Sequence, residues 1–205
     1  MLPQLLSIAG AARLAFPAGI IGDAPQEDFI CHPIAFPGAL DATECAAIVE
    51  LGESGNAIAA GLTRPEEGYR KGITKAIPLT ERSRWLYERM AGLIVSVNQW
   101  YRYEVTGFVD SLLYCVYPEH GQFDWHIDCS EGATSTRKIA ISVQLSDACD
   151  YDGGGLEFAA HGELRDARRL GTAVSFPAFL HHRVAPVTRG TRRSLVAWAH
   201  GPVFR

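Results

Sequence analysis

The sequence lacks most of the features that mark specialised classes of protein. Its 5 cysteines are an odd number, form no CxxC pair and have no short spacing, which argues against a disulfide scaffold or a structural zinc site and for a reducing, cytoplasmic setting. There is no excess of positive charge: 19 Lys and Arg against 23 Asp and Glu leave a formal net charge of −4. A polyanion would therefore need a local basic patch, and nucleic acid is not an expected partner. There is no long apolar run either. The fairly apolar start, Met1 to Ile21, carries Arg13, is broken by Pro17 and Gly19, and has no basic cluster ahead of it. It reads as a helix packed on the body, within the protomer or across a homodimer, and not as a signal peptide or membrane span. Repeats, low-complexity tracts and dividing linkers are missing too, and Gly153-Gly154-Gly155 lacks the spacing of a phosphate loop.

What is present is an ordinary globular composition, 47% hydrophobic and 20% charged over 205 residues, sized for a single domain. Its first part, to about residue 109, reads as mainly helical support. Asp41 with Glu44 forms a capping-box pattern ahead of Cys45, Ile48 and Val49. A longer helix is expected from near Thr80, where Leu86, Met90, Leu93, Ile94, Val97 and Tyr101 line one face. Between the two, Arg64 to Leu79 is a loop or edge strand, and Tyr69, Arg70 and Lys71 within it are candidates for a lid that recognises an acidic or peptide substrate.

From residue 110 onward short apolar runs alternate with turn residues: 111–117, 123–129, 138–145, 156–158, 173–176, 182–187 and 193–199. Such spacing predicts an α+β protein whose jelly-roll sheets carry the earlier helices on one face. The glycine triplet falls between two of these strands, as a turn that lets the backbone approach a pocket.

Within this region lies His126-Ile127-Asp128, with His181-His182 much further along. Residues i and i+2 of a strand share a face, so an imidazole and a carboxylate can converge on one metal ion, and a histidine from a neighbouring strand would complete a two-histidine, one-carboxylate set with open positions opposite. A lone His-x-Asp arises easily by chance, and its company gives it weight. Arg192, one strand beyond His182, can hold a carboxylate bidentately. Tyr117, on the strand before His126, can offer its hydroxyl to the same small acid.

The segments YPEHGQFDWHID (117–128), RKIAISVQLSDACDYDGGGLEF (137–158) and FPAFLHHRVAPVTRGTRRSLVAW (176–198) resemble the Fe(II)- and 2-oxoglutarate-dependent dioxygenases of the prolyl 4-hydroxylase-like superfamily, and most closely its PKHD-type hydroxylase branch. The resemblance implies a double-stranded β-helix core over residues 110–205. It implies Fe(II) held by His126, Asp128 and His182, with 2-oxoglutarate and O2 as cosubstrates, ascorbate as an optional accessory, and succinate and CO2 as products. It also implies that the far carboxylate of 2-oxoglutarate pairs with Arg192 and Tyr117, and that Gln144 touches the cosubstrate.

The register favours His182 over His181, because Pro186 and Arg192 follow His182 at the family's intervals. Asp128 stands where related halogenases carry a small residue, which favours hydroxylation or another oxidation, with desaturation, cyclisation and epoxidation sharing the same residues; the resemblance implies an amino acid, a peptidyl residue or a small biosynthetic intermediate as substrate. The second arginine expected of a nucleic-acid demethylase is replaced by Trp198. The competing expectation is a cupin-like module that binds a metal or small acid without turnover.

Overall fold

The computed structural model describes residues 31–56 and 69–203. The segment expected to form an N-terminal helix on the body lies outside the described residues.

Two helices carry the support region. Helix α1 (Ala42–Glu53) starts at the anticipated capping box: Asp41 accepts from the Glu44 amide at 2.8 Å, and Glu44 accepts from the Asp41 amide at 2.9 Å. Helix α2 (Arg84–Tyr101) begins four residues later than expected. The reason is local, because the Ser83 hydroxyl accepts from the Thr80 amide and donates to the Pro78 carbonyl, closing a turn ahead of the helix. Its buried face is Leu86, Met90, Ile94, Val97 and Tyr101.

The strands are β1 (Ile34–Phe36), β2 (Arg70–Lys71), β3 (Ile73–Ile77), β4 (Leu112–Tyr117), β5 (Gln122–His126), β6 (Arg137–Gln144), β7 (Tyr151–Gly153), β8 (Leu156–Phe158), β9 (Gly162–Glu163), β10 (Ala173–Pro177), β11 (His182–Val184), β12 (Val187–Gly190) and β13 (Arg192–His200). They form a six-stranded sheet in the order β1-β10-β6-β13-β4-β3, a five-stranded sheet in the order β2-β5-β11-β8-β9, and the pair β12-β7. Neighbours in each sheet run antiparallel. The segment read as loop or edge strand supplies an edge to each large sheet, β2 to one and β3 to the other. Among the described residues of the support region, β1, β2 and β3 lie beside the two helices.

Alternation along the strands divides the interior into two faces. Leu112 and Tyr114 of β4, Ile139, Ile141 and Val143 of β6, and Leu195, Ala197 and Ala199 of β13 pack with the buried residues of both helices. The residues between them, Leu113, Cys115, Tyr117, Ser142, Ser194, Val196 and Trp198, face the five-stranded sheet across a cavity. Covering one face with helices leaves the other free to form a pocket.

Candidate metal centre

The cavity between the sheets measures about 50 Å³ and is lined from the five-stranded side by Arg70, Phe123, His126, Leu156, His182 and Val184. β11 pairs with β5 so that His182 stands opposite His126. Asp128 follows the end of β5, where its amide donates to the Ala178 carbonyl at 2.8 Å. This brings together a histidine pair and the carboxylate two residues beyond one of them. His126 Nε2 is 3.7 Å from Asp128 Oδ1, His182 Nε2 is 3.6 Å from Oδ2, and the three donor atoms lie within 4.8 Å of one another.

The tautomers follow from the second nitrogens. His126 Nδ1 is 2.7 Å from the Asp124 carbonyl and His182 Nδ1 is 2.8 Å from the Leu180 carbonyl. A carbonyl only accepts, so each ring donates through Nδ1 and keeps the lone pair of Nε2 for the cavity, as a metal-binding histidine requires. Burial, reinforced by the neighbouring His182, pushes the pKa of His126 down to about 4, so this ring stays neutral near pH 7. Bonds of about 2.1 Å to one ion can be shared by atoms up to about 4 Å apart. Both histidine–carboxylate separations, 3.7 and 3.6 Å, meet that limit, so the residues present fit a divalent transition metal.

Phe123 stacks on His126 with ring centroids 3.6 Å apart. His181 is exposed and lies against Trp125, 5.4 Å between centroids, on the far side of the strand from the donors. Trp125 also carries the Arg183 guanidinium at 4.8 Å and has a packing role.

The opposite wall is cationic. Arg192 is 4% exposed, donates to Ser194 Oγ at 3.4 Å and stands 5.7 Å from the Tyr117 ring. It forms no ion pair with any described carboxylate. Burial pushes the Tyr117 phenol up to about 12, against the nearby arginines, so it remains an O–H donor. Gly154, at φ +62°, packs against Arg192, and a Cβ there would sit 3.2 Å from Arg192 Cδ. The glycine triplet is thus the close backbone approach anticipated for it.

Gln144 is not among the residues lining the cavity. Its amide donates to the Ser146 carbonyl at 3.2 Å and to the Tyr151 hydroxyl at 3.0 Å, which holds it within the sheet. Ser142 and Trp198 line the cavity without having been anticipated there, and Arg70 was anticipated only as part of a lid. Ser142 and Trp198 share the inward parity of Gln144 and Arg192 on their strands. A two-residue strand such as β2 has no periodicity to read.

Residues 112–200 match the family model of the 2OG-Fe(II) oxygenase superfamily. A PKHD-type hydroxylase of Sphingopyxis alaskensis is 32% identical over 89 residues, 43% of this chain and 38% of that one. Another, from Synechococcus, is 41% identical over 61 residues, 29% of this chain and 27% of that one. The chain thus spans well under half the length of these curated relatives. Among solved structures, a Pseudomonas putida prolyl-4-hydroxylase aligns over 84% of this chain and 94% of its own, with TM-score 0.66 and 20% identity. A Trichoplax adhaerens prolyl hydroxylase in complex with a hypoxia inducible factor peptide fragment aligns over 82% and 83%, with TM-score 0.67 and 17% identity. These likenesses establish a common fold.

Proposed function

We propose, from the premise that residues 112–200 belong to the 2OG-Fe(II) oxygenase superfamily, that the chain is a hydroxylase built on a double-stranded β-helix core, with His126, Asp128 and His182 as iron ligands. The observation that carries the reading is the pairing, in one cavity, of a three-donor metal set with a buried arginine that has no carboxylate partner. A small molecule with a metal-chelating end and a carboxylate end would satisfy both walls at once, and 2-oxoglutarate is such a molecule.

When bound, Fe(II) supplies dioxygen activation coupled to conversion of 2-oxoglutarate to succinate and CO2. The chain's own residues do the rest. His126 and His182, fixed by their Nδ1 hydrogen bonds, and Asp128 hold the ion on one side and leave the cavity side for cosubstrate and oxygen. Arg192 holds the far carboxylate, and Tyr117 donates its O–H to the same group. Leu156, Val184, Val196 and Phe176 make the remaining wall apolar and keep bulk water out, which strengthens each charged contact. The substrate class is an amino acid, a peptidyl residue or a small intermediate; the peptide held by the Trichoplax neighbour favours the peptidyl option.

Succinate formation from 2-oxoglutarate by the Fe(II)-loaded protein in air, without added substrate, tests the reading. The wild type should turn over slowly and Asp128→Ala should fall at least about 100-fold, as expected when a group that assembles the catalytic centre is removed. Equal succinate from both proteins, or none from iron-loaded wild type, would overturn it; the second result would leave a binding module.

A further inference from the structure

Buried guanidinium groups are kept only where an anion or a dense set of acceptors compensates them. Among the described arginines that are not exposed, Arg137, Arg168, Arg183 and Arg193 each have a carboxylate within 4 Å, namely Asp110, Glu163, Glu157 and Glu53. The two without one are Arg70 and Arg192, and both line the cavity. The cavity's single carboxylate, Asp128, has its oxygens turned to the two histidines.

The two heads converge, although they start on different sheets. Arg192 Nη1 donates to Ser194 Oγ at 3.4 Å, and Ser194 pairs across β13 and β4 with Cys115. Arg70, on β2 of the other sheet, reaches over to Thr74 Oγ1 at 2.6 Å and to Cys115 Sγ at 3.5 Å. Both guanidiniums therefore end beside the same Cys115–Ser194 pair, near Tyr117. Arg70 Nε is buried with no hydrogen-bond partner.

The chain is shaped to allow this. Between β2 and β3, Gly72 lies on Tyr117, where a Cβ would meet the Val116 carbonyl at 2.9 Å and the ring at 3.0 Å. At this close crossing Arg70, on one sheet, reaches Thr74 and Cys115 on the other. Phe123 then covers the cation, 4.5 Å from its ring centroid.

We propose that Arg70 is a second cationic arm of this chamber, acting with Arg192 on one carboxylate, and that it makes the pocket selective for dicarboxylic over monocarboxylic 2-oxo acids. The inference rests on the cosubstrate reading above and extends it to a specificity-determining residue. Two guanidiniums directed at one site repel while it is empty, and a carboxylate between them relieves the repulsion and fills the unused donor. An uncharged group in the same place would leave both cations desolvated.

Calorimetric titration of the Mn(II)-loaded protein tests this without turnover, using 2-oxoglutarate and 2-oxopentanoate, which lacks the second carboxylate. Arg70→Met should weaken 2-oxoglutarate by about 10- to 100-fold, the range for losing charge-assisted hydrogen bonds. It should leave 2-oxopentanoate within about 2-fold, and Arg70→Lys should recover part of the loss. Equal weakening of both acids would show that Arg70 only shapes the pocket, and would overturn the proposal, as would no change in either. Wild type that binds no 2-oxoglutarate would overturn both this inference and the cosubstrate reading; unchanged binding in Arg70→Met would overturn this inference alone.

Discussion

A histidine that donates Nδ1–H to a main-chain carbonyl has one nitrogen left to use, and His126 and His182 are both in that state across a 4.2 Å gap between rings. The grouping of His126, Asp128 and His182 as a candidate metal set was legible because strand geometry makes His-x-Asp a same-face pair and because His182 keeps a fixed interval to Pro186 and Arg192. Arg70 was legible as a candidate for a lid over an acidic or peptide substrate, and not as a lining residue of this cavity. What places it in the cavity is the contact of Gly72 with Tyr117, a tertiary fact with no local signature. Gln144 shows the converse: its parity on β6 is right for the pocket, but Tyr151 and the Ser146 carbonyl take its amide. At this scale Tyr117→Phe, which removes one O–H donor and no volume elsewhere, should raise the dissociation constant for 2-oxoglutarate by about tenfold, as for a hydrogen bond to a charged group. Calorimetry on the Mn(II) form measures it, and an unchanged constant would remove Tyr117 from the cosubstrate site.

Helix α1 is pinned to the large sheet by its last turn. Gly52 lies on the Tyr114 ring, where a Cβ would come within 2.2 Å, and no small shift relieves such an overlap. Gly52→Ala should therefore destabilise the fold by about 1–3 kcal/mol, as overpacking does, although alanine is the better helix former. Denaturant unfolding reads the loss. The neighbouring Glu53 accepts from the Tyr114 hydroxyl at 2.8 Å and from Lys75 at 3.1 Å. These partners, Tyr114 first, hold its carboxyl below the usual value of 4.5. A carboxyl whose pKa is lowered on folding adds stability that is present above about pH 4.5 and is lost as pH falls through the lowered value. Glu53→Gln should therefore lower the melting temperature in the neutral region and flatten the acid limb, so that the two proteins converge as pH falls below the lowered value. The helices and long strands were readable from their periods; β2, β7 and β9, of two or three residues, were not, because pairing and not pattern defines them.

Across the whole molecule, the candidate metal donors His126 and His182 lie on the five-stranded sheet, with Asp128 just beyond it, and Arg192 and Tyr117 lie on the six-stranded sheet. A ligand that spans the cavity therefore ties the two sheets together. Binding that is specific for the folded state at about 100 times its dissociation constant adds about 2.7 kcal/mol, or roughly 5–10 °C in melting temperature for a chain of this length. Mn(II) with 2-oxoglutarate should raise the melting temperature by that order and by more than Mn(II) alone, and Asp128→Ala should lose both increments. No helix among the described residues is long and apolar enough to cross a membrane. The two-sheet architecture was legible from the rhythm of turns, whereas the assignment of edge strands to different sheets was not, since Arg70 and Thr74 belong to one short run that crosses between them.

The joint use of both walls by one ligand is best tested by anaerobic titration of the iron-loaded protein with 2-oxoglutarate, following the weak metal-to-ligand charge-transfer absorption in the green. A band that saturates at one equivalent per chain and disappears when oxygen is admitted, with succinate formed, is the predicted result. The absence of the band in protein shown to hold iron would mean that the chamber does not present 2-oxoglutarate to the metal, and would contradict the oxygenase reading.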